Sequence, residues 1–271
     1  RAGMLEPLDE FSLPVDKTAL VVGGGVAGMT SAFTLAEQGY ETYLIEKASD
    51  LGGIANRMHY TLEGMDVQGF VKDLKKKVYR HQKIHAITDA AIVHVDGYVG
   101  NFSTTVKSKG RVRIIKHGAA IIATGAAEYK PTEYMYGEND KVMTLLEMEG
   151  KLAKQDEKLM AAQSVVMIQC VGCRNEDRNY CSRVCCSGAM KNALKMKELK
   201  PEVDIYVLFR DIRTYGFRED YYLEAANKDV KFIRYEPEDK PQLEALEEGG
   251  RSFIRVPAAA PILGRKLELD V

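Results

Sequence analysis

Short apolar runs recur along the chain at intervals that suit alternating strands and helices. Thr18–Val22, Glu41–Ile45, Ser164–Ile168, Val203–Phe209 and Val230–Tyr235 each read as a buried parallel strand. Helical stretches lie between them: Met29 to Gln38, ending at Gly39 as a C-cap; Glu147 to Ala162; about Ser182 to Leu199; and a short one from about Glu219 to Ala226. Ile84–Val95 and Arg111–Lys116 alternate between apolar and polar residues, as strands of a small antiparallel meander do. The pattern predicts an α/β fold of two Rossmann-type nucleotide-binding domains with parallel sheets plus that meander. The expected organisation is an N-terminal lead-in over 1–17, a first nucleotide-binding domain over 18–145, a second Rossmann-like domain over 146–240, and a truncated return to the first domain over 241–271.

Charge narrows the range of partners. The 271 residues carry 38 Lys and Arg against 39 Asp and Glu, a net charge of −1, so neither nucleic acid nor an anionic membrane is the expected partner. A hydrophobic content of 45% supplies ample material for a packed core. No apolar run approaches the ~20 residues of a membrane span. The N-terminus also lacks the charged-then-apolar layout of a signal peptide, which points to a cytoplasmic protein. The chain opens Arg1-Ala2-Gly3-Met4 and closes on the strand-like Leu267-Glu268-Leu269-Asp270-Val271, so both ends read as parts of something longer.

The first strand runs directly into Gly23-Gly24-Gly25-Val26-Ala27-Gly28, a G-x-G-x-x-G between a strand and a helix. Gly23 allows the tight turn, Gly25 lets the backbone approach a pyrophosphate, and Gly28 lets helix and strand pack closely. The helix N-terminus stabilises phosphate charge. Glu46 ends the second strand, where its carboxylate can accept hydrogen bonds from ribose hydroxyls and repel a 2'-phosphate. Strand, helix, strand and terminal acid together predict a dinucleotide site. Past Glu46 the chain reads Lys47-Ala48-Ser49-Asp50-Leu51-Gly52-Gly53, and an acid followed by Gly-Gly at this spacing resembles the two-dinucleotide-binding flavoproteins. Ala119 to Ala126, which contains Ala123-Thr124-Gly125, is similar to the strand that returns the chain to the flavin in that superfamily. The resemblance implies FAD rather than NAD, with Gly23, Gly25, Val26, Ala27, Gly28, Glu46, Lys47, Gly52, Gly53, Ile92, Thr124 and Gly125 as its contacts.

In the second half the glycine fingerprint is replaced. The strand Ser164–Ile168 leads into Gln169-Cys170-Val171-Gly172-Cys173, and Cys181, Cys185 and Cys186 follow, so all five cysteines of the chain lie within residues 170–186. Open α/β sheets bind ligands at the C-terminal edge of their strands, and thiols near a helix N-terminus ionise readily, which favours metal or cluster ligation. Arg174, Arg178, Arg183 and Lys191 can offset thiolate charge. Four readings stand at this point: an iron–sulfur cluster, a zinc site, a Cys170/Cys173 redox dithiol, and structural thiols. The redox dithiol would belong to an NAD(P)H-dependent disulfide oxidoreductase, and the zinc site to a non-enzymatic scaffold.

Cys170-Val171-Gly172, Tyr180-Cys181-Ser182-Arg183-Val184-Cys185-Cys186, Lys191 and Asp211-Ile212-Arg213-Thr214-Tyr215-Gly216 resemble the A-type flavoprotein of heterodisulfide reductase. Its relatives include flavoprotein subunits of the quinone-interacting membrane-bound oxidoreductase. The likeness spans Leu5-Glu6-Pro7-Leu8 to Val230–Arg234. It implies a thioredoxin-reductase-like architecture, FAD, and a [4Fe-4S] cluster on Cys170, Cys181, Cys185 and Cys186. Lys191 would stand near flavin N5, where a cation stabilises a reduced flavin. The implied activity is that of an oxidoreductase component which transfers electrons between flavin and cluster. Its partners would be other iron–sulfur and electron-transfer subunits of the complex. Cys173 falls where the family commonly has Ser, and is expected to be a spare thiol able to substitute for a ligand. Many family members insert a ferredoxin module after the Gly-Gly turn, whereas here no cysteine lies between Ile54 and Lys83.

The remaining polar residues carry less. His59, His81, His85, His94 and His117 show no metal-ligand spacing and read as surface or satisfied histidines. Lys72 to Lys77 reads as the solvated face of a helix. Arg210 and Arg213 follow a strand and are expected to face the cluster or a partner. No substrate acid, base or nucleophile stands out.

Overall fold

The structure, a computed structural model, describes residues 12–260 and 265–271. The lead-in residues 1–11, with Leu5-Glu6-Pro7-Leu8, lie outside the described residues. Contacts divide the chain into two compact units, one of residues up to Asn56 with Gln68–Ala127, the other of Arg57–Val67 with Glu128–Val271.

The first unit is built on β1 (Ala19–Val22), α1 (Val26–Glu37), β2 (Thr42–Ile45), α2 (Val67–Arg80) and β3 (Ile84–Ile87). A three-stranded antiparallel meander follows, of β4 (Ala90–Tyr98), β5 (Asn101–Ser108) and β6 (Arg111–His117), before β7 (Ala119–Ile122). The parallel sheet has the order β3-β2-β1-β7, with Val22 beside Ile45 on one side and Ile122 on the other. Helix α1 packs Met29, Ala32 and Ala36 onto Val21 and Leu44, and α2 adds Leu74 and Val78. Lys72, Asp73, Lys76 and Lys77 face solvent, as the charge run predicts.

Two strands differ from the expectation. The stretch 84–95 is not one meander strand: it breaks at Asp89 in the left-handed region (φ 49), so Ile84–Ile87 joins the parallel sheet and the meander begins at Ala90. Strand β5 does not show in the apolar pattern because its buried face is carried partly by Thr104 rather than by alternating large apolar residues.

The second unit repeats the plan. Helices α3 (Leu145–Ala153) and α4 (Glu157–Ala161) lead into β8 (Ser164–Ile168), α5 (Cys185–Leu199), β9 (Asp204–Phe209), α6 (Glu219–Asn227) and β10 (Val230–Arg234). The strands form a parallel sheet of order β10-β9-β8. The expected helix over 147–162 is two helices, because Gln155 turns left-handed (φ 49) and Asp156 caps the second through Leu159 N. A capping box between Thr144 and Glu147 starts the first. Met190, Ala193 and Met196 of α5 pack on Ile205, Val207 and Met167, with Met148 and Leu152 of α3 on the same cluster.

Residues 241–271, expected to return to the first domain, instead group with the second unit. They form an antiparallel meander of β11 (Glu244–Glu248), β12 (Arg251–Ala260) and β13 (Arg265–Asp270). Ile254, Val256, Ala258 and Leu269 cover Leu208, Ile233 and Tyr235, so this meander serves the second sheet. Among the described residues, no helix is long and apolar enough to cross a membrane.

Candidate functional site

The glycine loop of the first unit is shaped by close backbone contacts. A Cβ on Gly28 would lie 1.8 Å from the Gly23 carbonyl oxygen, so helix and loop can meet only at a glycine. Gly23 itself (φ +109) turns against the Ala123 carbonyl, where a Cβ would come within 2.3 Å. Gly25 differs, because nothing lies within 4 Å of its Cβ position. It is the N-cap of α1 and offers no side-chain acceptor to the first-turn amides.

Glu46 is buried at the end of β2, and its Oε2 accepts the Gly24 amide at 2.6 Å while Oε1 accepts the Ala48 amide at 2.7 Å. The carboxylate therefore props the glycine loop, with lone pairs left for other donors. Gly52 N donates to Gly24 O at 2.7 Å, and a Cβ on Gly53 would lie 3.1 Å from Gly25 Cα, so the two glycine pairs abut. Thr124 and Gly125 are exposed on the segment that follows β7, and Val26, Ala27 and Lys47 border the same loops. Ile92 is partly buried against Leu20, Ile45 and Val106, so its observed contacts are with the core.

The thiol site of the second unit starts at the end of β8. Gln169 is held from both sides, its amide by Leu208 O at 2.9 Å and its carbonyl by the Tyr235 hydroxyl at 2.7 Å. The loop then takes left-handed turns at Cys170 (φ 62), Gly172 (φ 69), Arg174 (φ 57) and Arg183 (φ 62). These turns keep residues 182–184 out of the expected helix, so α5 begins at Cys185. Gly172 is obligatory, since a Cβ there would sit 2.1 Å from the Tyr129 ring. The Arg178 guanidinium lies 4.7 Å from the centroid of that ring.

Arg174 and the Arg183 amide supply hydrogen-bond donors to two of the thiols. The neighbouring Cys186 thiol, with Ser182 and the Cys170 and Cys186 amides, outweighs burial and holds the Cys185 thiol below its ordinary value. The same contact, with burial, pushes the Cys186 thiol up. Cys181 accepts the Arg183 amide at 3.3 Å. Arg174 Nη1 points at Cys170 Sγ from 3.8 Å. Burial pushes the Cys170 and Cys173 thiols up. Among the described residues, no three His, Cys, Asp or Glu side chains converge at single-ion distances.

A second segment braces this loop. Arg174 Nη2 pairs with Asp211 at 2.6 Å, and Arg210 Nη1 donates to the Arg174 carbonyl at 2.8 Å. Cys186 Sγ lies 3.8 Å from the Asp211 carbonyl oxygen. Arg210 thus faces the thiol loop, and Arg213 Nη2 lies 3.7 Å from the Asp211 carboxylate.

Lys191 is buried rather than solvated. Its Nζ donates to Glu149 Oε2 at 2.7 Å and to the Tyr60 carbonyl at 3.0 Å, and stands 5.1 Å from the Tyr60 ring centroid. Glu149 Oε1 accepts the amides of His59 at 2.6 Å and Tyr60 at 3.3 Å. Burial, with the nearby Glu149 charge, pushes the Tyr60 hydroxyl up. Sequence reasoning misses Glu149 and Tyr60. Glu149 reads as an ordinary helix acid among its neighbours, and no local signal marks it. His117, by contrast, is a satisfied buried histidine on Thr104 and the Ala119 carbonyl.

Known proteins resemble the chain across both units. It is 29% identical over 364 aligned positions to the A-type component of the H(2):CoB-CoM heterodisulfide,ferredoxin reductase of Methanothermobacter thermautotrophicus, covering 100% of this chain and 54% of that protein. It is 29% identical to the A-type iron-sulfur component of the CoB--CoM heterodisulfide reductase of Methanocaldococcus jannaschii, over 88% of this chain and 50% of the relative. The chain spans about half the length of the curated relatives it matches. Among solved structures it is similar to Lactococcus lactis thioredoxin reductase, with a TM-score of 0.57 at 17% identity over 94% of this chain and 74% of that one. That likeness shows a thioredoxin-reductase-like α/β fold. Residues 17–168 match the family model described as pyridine nucleotide-disulphide oxidoreductase. The chain belongs to the pyridine nucleotide-disulphide oxidoreductase family.

Proposed function

We propose that this chain is the FAD-binding core of an electron-transfer flavoprotein like the A-type component of heterodisulfide reductase, with a [4Fe-4S] cluster on Cys170, Cys181, Cys185 and Cys186. The observation that carries the reading is the replacement of the second glycine loop by a segment with five free cysteines, two of which receive hydrogen-bond donors. Donors to sulfur stabilise thiolate ligands and tune cluster potentials. A sheet edge that cradles a phosphate in a nucleotide domain here carries thiols, ligands that suit a soft metal centre.

The first unit fits a dinucleotide. The open position at Gly25 and the uncapped N-terminus of α1 suit a pyrophosphate, and Glu46 retains acceptor capacity for ribose hydroxyls. Gly52 and Gly53 let the neighbouring loop pass against Gly25. When bound, FAD exchanges an electron pair and an iron–sulfur cluster single electrons, so the two together convert between pair and single transfers. Within the second unit, Glu149 and Tyr60 fix the position of the Lys191 ammonium. Arg174, braced by Asp211, compensates the charge of the ligated thiolates. The partners of such a chain are further iron–sulfur and electron-transfer subunits in the cytoplasm.

Anaerobic reduction followed by flavin absorbance and electron paramagnetic resonance tests the reading. It expects bleaching of one bound flavin together with the signal of a reduced cluster in the same chain. Flavin reduced by NAD(P)H with no cluster signal, and activity lost in Cys173→Ser, would replace it with a disulfide oxidoreductase using Cys170 and Cys173.

A further inference from the structure

Four thiols suffice for a cubane cluster, and the chain places a fifth among them. Cys173 is not a bystander on the far side of the loop. The Arg174 amide donates to the Tyr180 carbonyl at 3.1 Å, which closes residues 174–180 into a short excursion and lays Cys173 alongside the 181–182 segment. Gly172 and Arg174, both left-handed, flank it, and Arg174 is held by Asp211 and Arg210. The backbone position of Cys173 is therefore set by the closure of 174–180 and by the brace on Arg174.

Cys186 faces differently. It is buried, with its thiol toward the Asp211 carbonyl. Cys181 and Cys173 are both partly exposed, and each is the chain neighbour of one partner in the Arg174–Tyr180 backbone bond.

We infer that Cys173 is a reserve ligand for the iron held by Cys181, and takes that corner of the cluster when the Cys181 sulfur is lost. The inference rests on the cluster reading above. The exchange forms one Fe–S bond in place of another: the Cys173 thiol gives its proton to solvent as its sulfur binds iron, a departing Cys181 thiolate takes one up, and no electron changes hands.

The test uses the full chain prepared anaerobically, with iron and acid-labile sulfide per chain, electron paramagnetic resonance of the reduced protein, and bound flavin as the control for folding. Cys173→Ser should keep the wild-type iron, sulfide and spectrum. Cys181→Ser should keep the iron but shift the spectrum, and the double variant should lose iron. Loss of the cluster in Cys181→Ser as complete as in the double variant, or in Cys173→Ser alone, would overturn the inference. Iodoacetamide mapping gives a second readout that does not depend on the cluster's yield. In the wild-type holoprotein Cys173 should be the alkylated thiol, and in Cys181→Ser it should be protected. Continued labelling of Cys173 in that variant contradicts the proposal. Wild-type protein without iron and sulfide would instead remove the cluster reading itself, and the inference with it.

Discussion

Lys191 Nζ lies 2.7 Å from Glu149 Oε2, and the other oxygen of the same carboxylate holds the His59 amide at 2.6 Å. One buried acid thus fixes both the cation on α5 and the segment that carries Tyr60. Removing one partner of a buried ion pair leaves an uncompensated charge, which costs about 3–5 kcal/mol. Glu149→Ala should lower the urea midpoint accordingly. Glu149→Ala combined with Lys191→Met should recover the part due to the bare Lys191 charge, leaving the cost of the His59 and Tyr60 amides without their acceptor. A single variant as stable as the wild type would show that the pair does not hold this region.

The glycine loop predicts a split between stability and ligand binding. Gly28→Ala drives a Cβ into the Gly23 carbonyl and should lower the melting temperature of the flavin-free protein. Gly25→Ala meets no atom, so the flavin-free protein should melt as wild type. Its methyl would nonetheless occupy the space proposed for the pyrophosphate and weaken FAD at least tenfold, about 1.4 kcal/mol. Equal FAD affinity in Gly25→Ala, measured by flavin fluorescence, would place the phosphates elsewhere.

These two regions differ in how far the sequence reveals them. The glycine loop is legible because its contacts lie within a strand, a turn and a helix that follow one another, and Glu46 falls at the end of the next strand. The thiols are legible by residue type. The pairing of Lys191 with Glu149 is not, because the two are 42 residues apart and nothing local distinguishes Glu149 from an exposed helix acid. Strand β5 is hidden for a chemical reason, since Thr104 is buried by pairing with His117 rather than by being apolar. The C-terminal meander belongs to the second unit against expectation, because alternation shows that a strand has a buried face but not which sheet that face covers.

Gly172 tests the loop independently of any thiol. Gly172→Ala would place a methyl against the Tyr129 ring in a left-handed turn, at a residue between two cysteines. Iron per chain should fall while bound FAD holds, as measured on the same preparation. Unchanged iron would show that the turn is not required for the metal site.

His117 gives a pH dependence. Burial pushes its ring below the ordinary value of 6.5, where it pairs with Thr104 and Ala119 in the neutral form. A folded pKa lowered from 6.5 means that the unfolded chain binds the proton more readily. The stabilisation is complete above that ordinary value and is lost as pH falls through the folded pKa. The melting temperature of the wild type should therefore fall on going from about pH 8 to about pH 5, and His117→Gln should reduce this slope. A slope identical in the variant would assign the effect to other groups.

The central claim is that the five-cysteine segment holds an iron–sulfur cluster, and metal and sulfide analysis of anaerobically prepared full chain addresses it most directly. The account predicts about four irons and about four acid-labile sulfides per chain, as a cubane requires. About one zinc without sulfide, the content of a tetrahedral structural site, would contradict it.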